Sequence, residues 1–383
     1  MSIQSENTRV RRAPITLLRR AAFAAAAAAL AVASPAIAKD ATSFRLRSRF
    51  NRPGNILIAD QFNNRVIEID RQGSIVWQFG KGPTDFTPAS VVGVNDAQRV
   101  GPFTLMAGTG TPPATVPTCT DPAGCPDNRV MLVNPAGHIV WQYGTFGVTG
   151  SGPDQLSTPV QSTYLPNGHV LITDQGNQRV IEVNPHKHIV WQYGTTGVAG
   201  NGPNQLDSPN SAELLENGNV LIADEGNNRA IEVDRSLNII ATFSAGGTVN
   251  GMAFASRLPN GDTLLTDAGD SRIVEVDAGD NPVWEYFTNT DAGSNPQPLP
   301  TRAIRLRDGN TIISDQFNHR VIIVDASKSV VASYGNLNVS GYGTSNTSQG
   351  LFGPYDAKVV GDYTGLTPPV DLDRDADDSG GPH

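Results

Sequence analysis

Residues 54–80 read GNILIADQFNNRVIEIDRQGSIVWQFG, and the same pattern returns along the chain. Residues 168–194 are GHVLITDQGNQRVIEVNPHKHIVWQYG, and residues 218–244 are GNVLIADEGNNRAIEVDRSLNIIATFS. GDTLLTDAGDSRIVEVDAGDNPVWEYF (261–287) and GNTIISDQFNHRVIIVDASKSVVASYG (309–335) follow. A sixth copy is split, with GPFTLMAGTG (101–110) resuming as DNRVMLVNPAGHIVWQYG (127–144). Self-similarity of this kind marks a repeat architecture. Each copy holds three short runs of alternating apolar residues, divided by Asn-, Asp- and Gly-rich turns, which is the pattern of strands joined by hairpins. A fourth run precedes each copy, as in STPVQSTYLPNG (157–168) or SPNSAELLENG (208–218). Four antiparallel strands per repeat and no helical period describe a propeller blade. The expected fold is therefore an all-β, six-bladed β-propeller.

A ring needs one blade that joins the two chain ends. GPYDAKVVGDYTG (353–365) has the pattern of the run that precedes each copy, with no copy after it. It is expected to supply the inner strand of the blade formed by residues 54–80. FRLRSRFNRPG (44–54) competes for that place.

The combination Asp-x-x-Asn-x-Arg, alternating apolar residues, an aromatic-Gly ending and a Gly-rich link to Pro resembles the NHL repeat. The resemblance covers about residues 50–361. It implies the same six-bladed fold and does not by itself choose among the functions that propellers carry.

Outside the repeats, residues 1–38 read as an export signal. Arg9, Arg11, Arg12, Arg19 and Arg20 precede the Ala-rich run 21–33, and Ala36-Ile37-Ala38 offers a small-x-small cleavage site. The run is shorter than the roughly 20 residues of a membrane span. Residues 39–363 then form the propeller and 364–383 an acidic tail without core-forming residues, expected to be disordered. Removing the signal leaves 23 basic and 36 acidic residues, about −13 with His neutral. Such a body is a poor match for a phosphate backbone, which excludes nucleic acid as the expected partner. The expectation is an exported, periplasmic or secreted monomer with no membrane span after cleavage. Cys119 and Cys125 lie together in the insert 111–126, and an oxidising compartment makes a local disulfide the expected pairing.

Residues repeated in every blade are read as architecture, because a binding site needs differences between blades. Asp60, Asp174, Asp224, Asp267 and Asp315 each stand five residues before Arg65, Arg179, Arg229, Arg272 and Arg320. That spacing lets a carboxylate and a guanidinium tie the ends of a tight turn. Arg129 is the sixth arginine, its Asp displaced by the insert. Trp77, Trp141, Trp191 and Trp284 share one place and are expected to fill space between blades. His138, His169, His186, His188 and His319 fall in turns. Lyases that resemble NHL propellers hold a metal with axial His, and no His here is expected at the axis.

Function is therefore sought at the starts of the inner strands, marked by Pro88, Pro159, Pro209, Val249, Pro300 and Pro354. The next two positions vary and are largely polar: Ala89-Ser90, Val160-Gln161, Asn210-Ser211, Asn250-Gly251, Thr301-Arg302 and Tyr355-Asp356. Converging polar groups suit a ligand, which makes Gln161, Asn210, Ser211, Asn250, Thr301, Arg302, Tyr355 and Asp356 the candidate ligand-binding residues. Asn250-Gly251-Met252-Ala253-Phe254 is similar to the Asn-Gly-x-x-Phe strand start of gluconolactonase-type propellers. That resemblance implies a Ca²⁺ or other divalent site on Asn210, Asn250 and Asp356, although Ca²⁺ usually takes 6–8 oxygen ligands. No cofactor is otherwise required. The leading expectation is a scaffold that binds a small molecule or an extracytoplasmic protein through the channel mouth and loops. The alternative is a lyase or hydrolase with Asp356 as base, Arg302 as anion clamp and Tyr355 as acid. Against the alternative stands a simple ion pair between Arg302 and Asp356 on adjacent blades.

Overall fold

The computed structural model describes residues 49–342 and 349–362. The expected signal segment and acidic tail lie outside the described residues. Within them, twenty-four strands form six four-stranded antiparallel sheets arranged as the blades of a ring. Numbered in chain order, the blades occupy residues 56–79, 94–143, 159–193, 209–243, 252–287 and 300–335. The ring closes as expected: Pro354–Val359 pairs antiparallel with Ile56–Asp60 and becomes the innermost strand of blade 1. Residues 49–54 form turns instead. Closure of this kind leaves no open inner edge at the seam.

The repeated motif makes one tight turn in each of four blades. Asp60 Oδ2 accepts from Asn63 Nδ2 at 2.9 Å and from Arg65 Nε at 2.7 Å. Between them runs a single 3-10 turn ended by Asn64 at φ 48°. Asp174, Asp224 and Asp315 repeat the arrangement with Asn177 and Arg179, Asn227 and Arg229, and Asn318 and Arg320. A closing glycine is required in three of these blades: Gly80 has φ +93°, and a Cβ there would lie 2.2 Å from the Asn64 carbonyl oxygen. Blade 4 has Ser244 at that place.

Blade 2 corrects two expectations. Its Asp is not lost, because Asp127 Oδ1 accepts from Arg129 Nε at 2.5 Å and fills the role from within the same strand. Its innermost strand is Val94–Val100, not a run beginning at Pro88. Val94 opposes Gly108 as Pro159 opposes Asp174, so Asn95 and Asp96 occupy the places expected for Ala89 and Ser90. Blade 5 needs a similar shift. Met252 opposes Asp267, which places Asn250 two residues before the strand and out of register with Asn210.

The blades are joined by buried apolar clusters, each drawing on neighbouring sheets. The tryptophans belong to these seams. Trp77, Trp141 and Trp284 donate from Nε1 to the carbonyls of Pro135, Pro185 and Ala326 in the following blade. Ion pairs run parallel to them, with Arg235 on Glu182 at 2.7 Å, Arg257 on Glu232 at 3.0 Å and Arg305 on Glu275 at 2.7 Å. Among the described residues no helix is long and apolar enough to cross a membrane.

Candidate functional site at the channel mouth

The six inner strands bring different side chains to the axis at equivalent positions. The second residue of each is Asn95, Val160, Asn210, Ala253, Thr301 or Tyr355, and the third is Asp96, Gln161, Ser211, Phe254, Arg302 or Asp356. These two layers do different work.

The third residues stitch neighbouring blades together. Asp356 Oδ2 accepts from the Ala97 amide at 3.1 Å, and Asp96 Oδ2 from the Ser162 amide at 3.2 Å. Gln161 Oε1 accepts from the Ala212 amide at 2.6 Å, and Ser211 Oγ from the Ala255 amide at 3.3 Å. Each bond satisfies a backbone donor that would otherwise be buried without a partner. In the remaining third Arg302 lies over the Phe254 ring, 4.4 Å from its centroid. Its guanidinium is 3.3 Å from Asp356 and 3.6 Å from Asp96, and Lys358 Nζ contacts both carboxylates. Asp96 and Asp356 are fully buried, and Arg302 is 1 % exposed. Burial and the Asp356 charge push the Asp96 carboxyl up, while Lys358 and Arg302 pull it down. Two acids and two bases thus form a buried charge set inside the ring, in which Arg302 lies within ion-pair range of both carboxylates without a hydrogen bond to either.

Four of the second residues, Asn95, Val160, Asn210 and Tyr355, line a cleft of about 630 Å³ at the end of the ring where the inner strands begin. Tyr355 Oη and the Asn210 amide hydrogen-bond at 3.0 Å, and Asn210 Nδ2 also donates to Glu225 Oε2 at 2.7 Å. Gln175 Nε2 reaches the same carboxylate oxygen at 3.4 Å. A second amide chain runs from Gln316 through Gln61 to Asn95, with both bonds at 2.7 Å. Thr301 lies behind the wall, its hydroxyl donating to the Tyr355 carbonyl at 2.6 Å. Burial and the nearby Glu225 charge push the Tyr355 phenol up, so it stays neutral.

The insert forms the other wall. Thr111 pairs with Cys125 at the end of a lengthened hairpin, so the loop proper spans 112–124. The expected Cys119–Cys125 disulfide is present. Val116 and Cys119 pack with Phe62, and Phe352 and Tyr342 lie against the same cluster. Thr118 Oγ1 donates to the Pro83 carbonyl at 2.6 Å. Asp121, Ala123, Gly124 and Cys125 then line the cleft opposite Asn210 and Tyr355. The channel mouth and the stapled insert, read from sequence as separate features, line one cleft.

Of the eight candidate ligand residues, Asn210 and Tyr355 line this cleft. Gln161, Ser211, Arg302 and Asp356 are held in the layer below, and Thr301 is a support. Asn250 stands apart, with its side chain on Asp270 at 3.3 Å. Asn210, Asn250 and Asp356 therefore do not fit a divalent ion. Asn250 is off the inner strand, and the Asp356 carboxylate already faces Lys358 and Arg302. Among the described residues no group of three or more His, Cys, Asp or Glu could hold a metal. His319 caps its turn, with Nδ1 accepting from the Gly353 amide at 3.2 Å and its ring edge-on to Phe352. Sequence reasoning missed Gln61, Gln175, Glu225 and Gln316. All four directly follow the repeated Asp, which was the available signal.

The sequence matches no protein-family model and no curated protein. Solved structures share the fold. Virginiamycin B lyase from Staphylococcus aureus is 14 % identical, with a TM-score of 0.49 over 75 % of this chain and 82 % of that one. A streptogramin B lyase is 13 % identical, with a TM-score of 0.49 over 76 % and 81 %. A Bacteroides caccae protein of unknown function is 15 % identical, with a TM-score of 0.50 over 74 % and 93 %. At these identities the similarity is one of fold.

Proposed function

We propose that this chain is an exported binding propeller of the NHL type, which holds a small polar molecule between the stapled insert and the channel mouth. The observation that carries the reading is the cleft itself. Its walls are amides, hydroxyls and two carboxylates, positioned by elements that are each fixed elsewhere. A few convergent polar groups in a pre-formed concavity are the ordinary make-up of a small-molecule site. The disulfide and the N-terminal pattern of residues 1–38 support an oxidising destination outside the cytoplasm. Turnover with Asp356 as base and Arg302 as clamp is not favoured by the geometry. A base must come within hydrogen-bond reach of its substrate, and both groups are sealed below the cleft and engaged by neighbours.

The test is a thermal-shift screen of polar small molecules on the parent chain and on Ala123→Trp. Ala123 is exposed and lines the cleft, so a Trp there obstructs it without touching the ring. Ligands of this site should stabilise the parent and lose at least about tenfold in affinity on the variant, a difference of about 1.4 kcal/mol. Hits that bind both proteins equally would place the binding surface elsewhere.

A further inference from the structure

We infer that the mouth cleft takes a protonated amine carried on a hydroxylated frame, with Glu225 as its counter-ion. This rests on the cleft being the binding site. Glu225 is singled out by its surroundings. Most buried carboxylates that pin the blades have a cation: Asp60 has Arg65, Asp174 has Arg179, Glu232 has Arg257, and Asp96 and Asp356 share Lys358. Glu213 has no ion pair, but it lies away from the cleft and accepts from the Arg257 amide. Glu225 has only neutral donors, Asn210 and Gln175, both on Oε2. No hydrogen bond among the described residues reaches its Oε1.

The repeat sharpens the point. Equivalent turns place Gln61, Gln175 and Gln316 at this position, and blade 5 has Ala268. Glu225 is half-buried, and a Gln in its place would keep the size and the position while avoiding a partly desolvated charge. Burial pushes the Glu225 carboxyl up, and the Asn210 bond only partly offsets it. Nothing in the fold gains from that cost, because no protein cation uses the charge.

The rest of the lining points the same way. No Lys, Arg or His lines the cleft, and Asp121 adds a second carboxylate from the insert. An anionic ligand would meet only like charge. Thr111 is 3 % exposed and lines the cleft, and its Oγ1 has no hydrogen-bond partner among the described residues. An ammonium supplies three donors, one of which the free Glu225 oxygen can take up in a charge-assisted bond. Hydroxyls on the same frame match the remaining amides and the Thr111 hydroxyl. A bare divalent ion is a poorer match, since it asks for six or more oxygens and the described residues hold no group of three or more His, Cys, Asp or Glu that could bind it.

The experiment compares three probes on one frame, namely glucosamine, glucose and glucuronate. Binding is followed by ligand-observed NMR at about pH 7, below the usual range of an α-amino group. Glucosamine should bind the parent chain at least tenfold more tightly than glucose, and glucuronate more weakly than either. Glu225→Gln, which three other blades show the turn accommodates, should bring glucosamine down to the level of glucose. An unchanged ratio in Glu225→Gln overturns the ammonium assignment. The cleft reading still stands in that case if Ala123→Trp weakens all three sugars. Failure of glucosamine to bind the parent also overturns the assignment. The cleft reading falls with it only if hits from the wider screen persist in Ala123→Trp.

Discussion

Lys358 Nζ lies 2.8 Å from Asp96 Oδ1 and also contacts Asp356, so one lysine on the closing strand joins the carboxylates of two adjacent blades. It donates further to the Ala97 carbonyl at 2.9 Å. Lys358 is 5 % exposed and both carboxylates are fully buried, so little solvent screens the set. Removing one partner of a buried pair leaves an uncompensated charge, at a cost of about 3–5 kcal/mol. Lys358→Met should therefore lower unfolding free energy by about that amount in a denaturant titration. Adding Asp96→Asn should recover part of the loss, because it removes the charge left behind. A single variant within measurement error of the parent would show that the quartet does not hold the seam.

Asp127 offers a second, independent check on the architecture. It follows the insert, stands two residues before Arg129 rather than five, and accepts from the Val92 amide at 2.7 Å. Arg129 is itself fully buried and spends its other nitrogens on the Pro88 and Ser90 carbonyls, both at 2.8 Å. Asp127→Ala should thus cost as much as Asp174→Ala in blade 3, again about 3–5 kcal/mol. Paired denaturation curves decide it. A much smaller effect at Asp127 would mean that the insert has relieved blade 2 of the repeat's constraint.

The same residues show what could be read from sequence. Turns and outer strands were legible because their chemistry repeats: five copies carry the Asp five residues before the Arg, all six place a left-handed residue just before that Arg, and four end on a glycine. Ring closure was legible because Pro354–Val359 carries the inner-strand pattern with no repeat after it. The inner strand of blade 2 was hidden for a physical reason. In VNDAQRV, Asn95, Asp96, Gln98 and Arg99 are all buried polar groups serving neighbouring blades, so the apolar alternation that marks a strand is missing. Asn250 misled because Asn-Gly matches a strand start in composition, whereas the register with Asp267 begins at Met252. Glu225 was hidden by being one letter from a repeated Gln. Its meaning depends on the absence of a nearby cation, which spacing along the chain does not encode.

The disulfide should matter more to the cleft than to the ring. It spans a sequence separation of 6 within the loop, so its loop-closure contribution is about 2 kcal/mol. The docked face of the insert, Val116 with Phe62 and Thr118 with Pro83, persists without it. Cys119→Ser with Cys125→Ser should leave the six-bladed fold intact by circular dichroism and lower Tm by a few degrees. Ligand affinity should fall more, because Asp121, Ala123 and Gly124 lose their fixed position over Asn210. Equal affinity in the double variant would remove the insert from the site.

Stability should fall as pH rises from mildly acid to neutral, opposite to proteins whose carboxylates are all favourably paired. Burial pushes Asp127 and Asp315 up to about 6, outweighing Arg129 and Arg320. Asp60, Asp174, Asp224 and Asp267 move the same way for the same reason. An unfolded Asp titrates near 3.9. Between that value and about 6 the folded chain holds protons that the unfolded chain has released, so stability declines across this window as pH increases. Asp70, Glu182 and Glu232 behave oppositely. Burial raises each of them, but bonds from Ser74, Gln72 and Arg49, from His169, Asn167 and Arg235, and from Asn219, Asn217 and Arg257 outweigh it. Their contribution is present above about pH 4 and disappears as pH drops through their folded values. Calorimetric Tm should therefore peak near about pH 5 and decline on both sides, and Asp315→Asn should flatten the decline between about pH 5 and 7. A Tm that climbs steadily from pH 5 to 7 would show that the arginines, rather than burial, set the charge state of these turns.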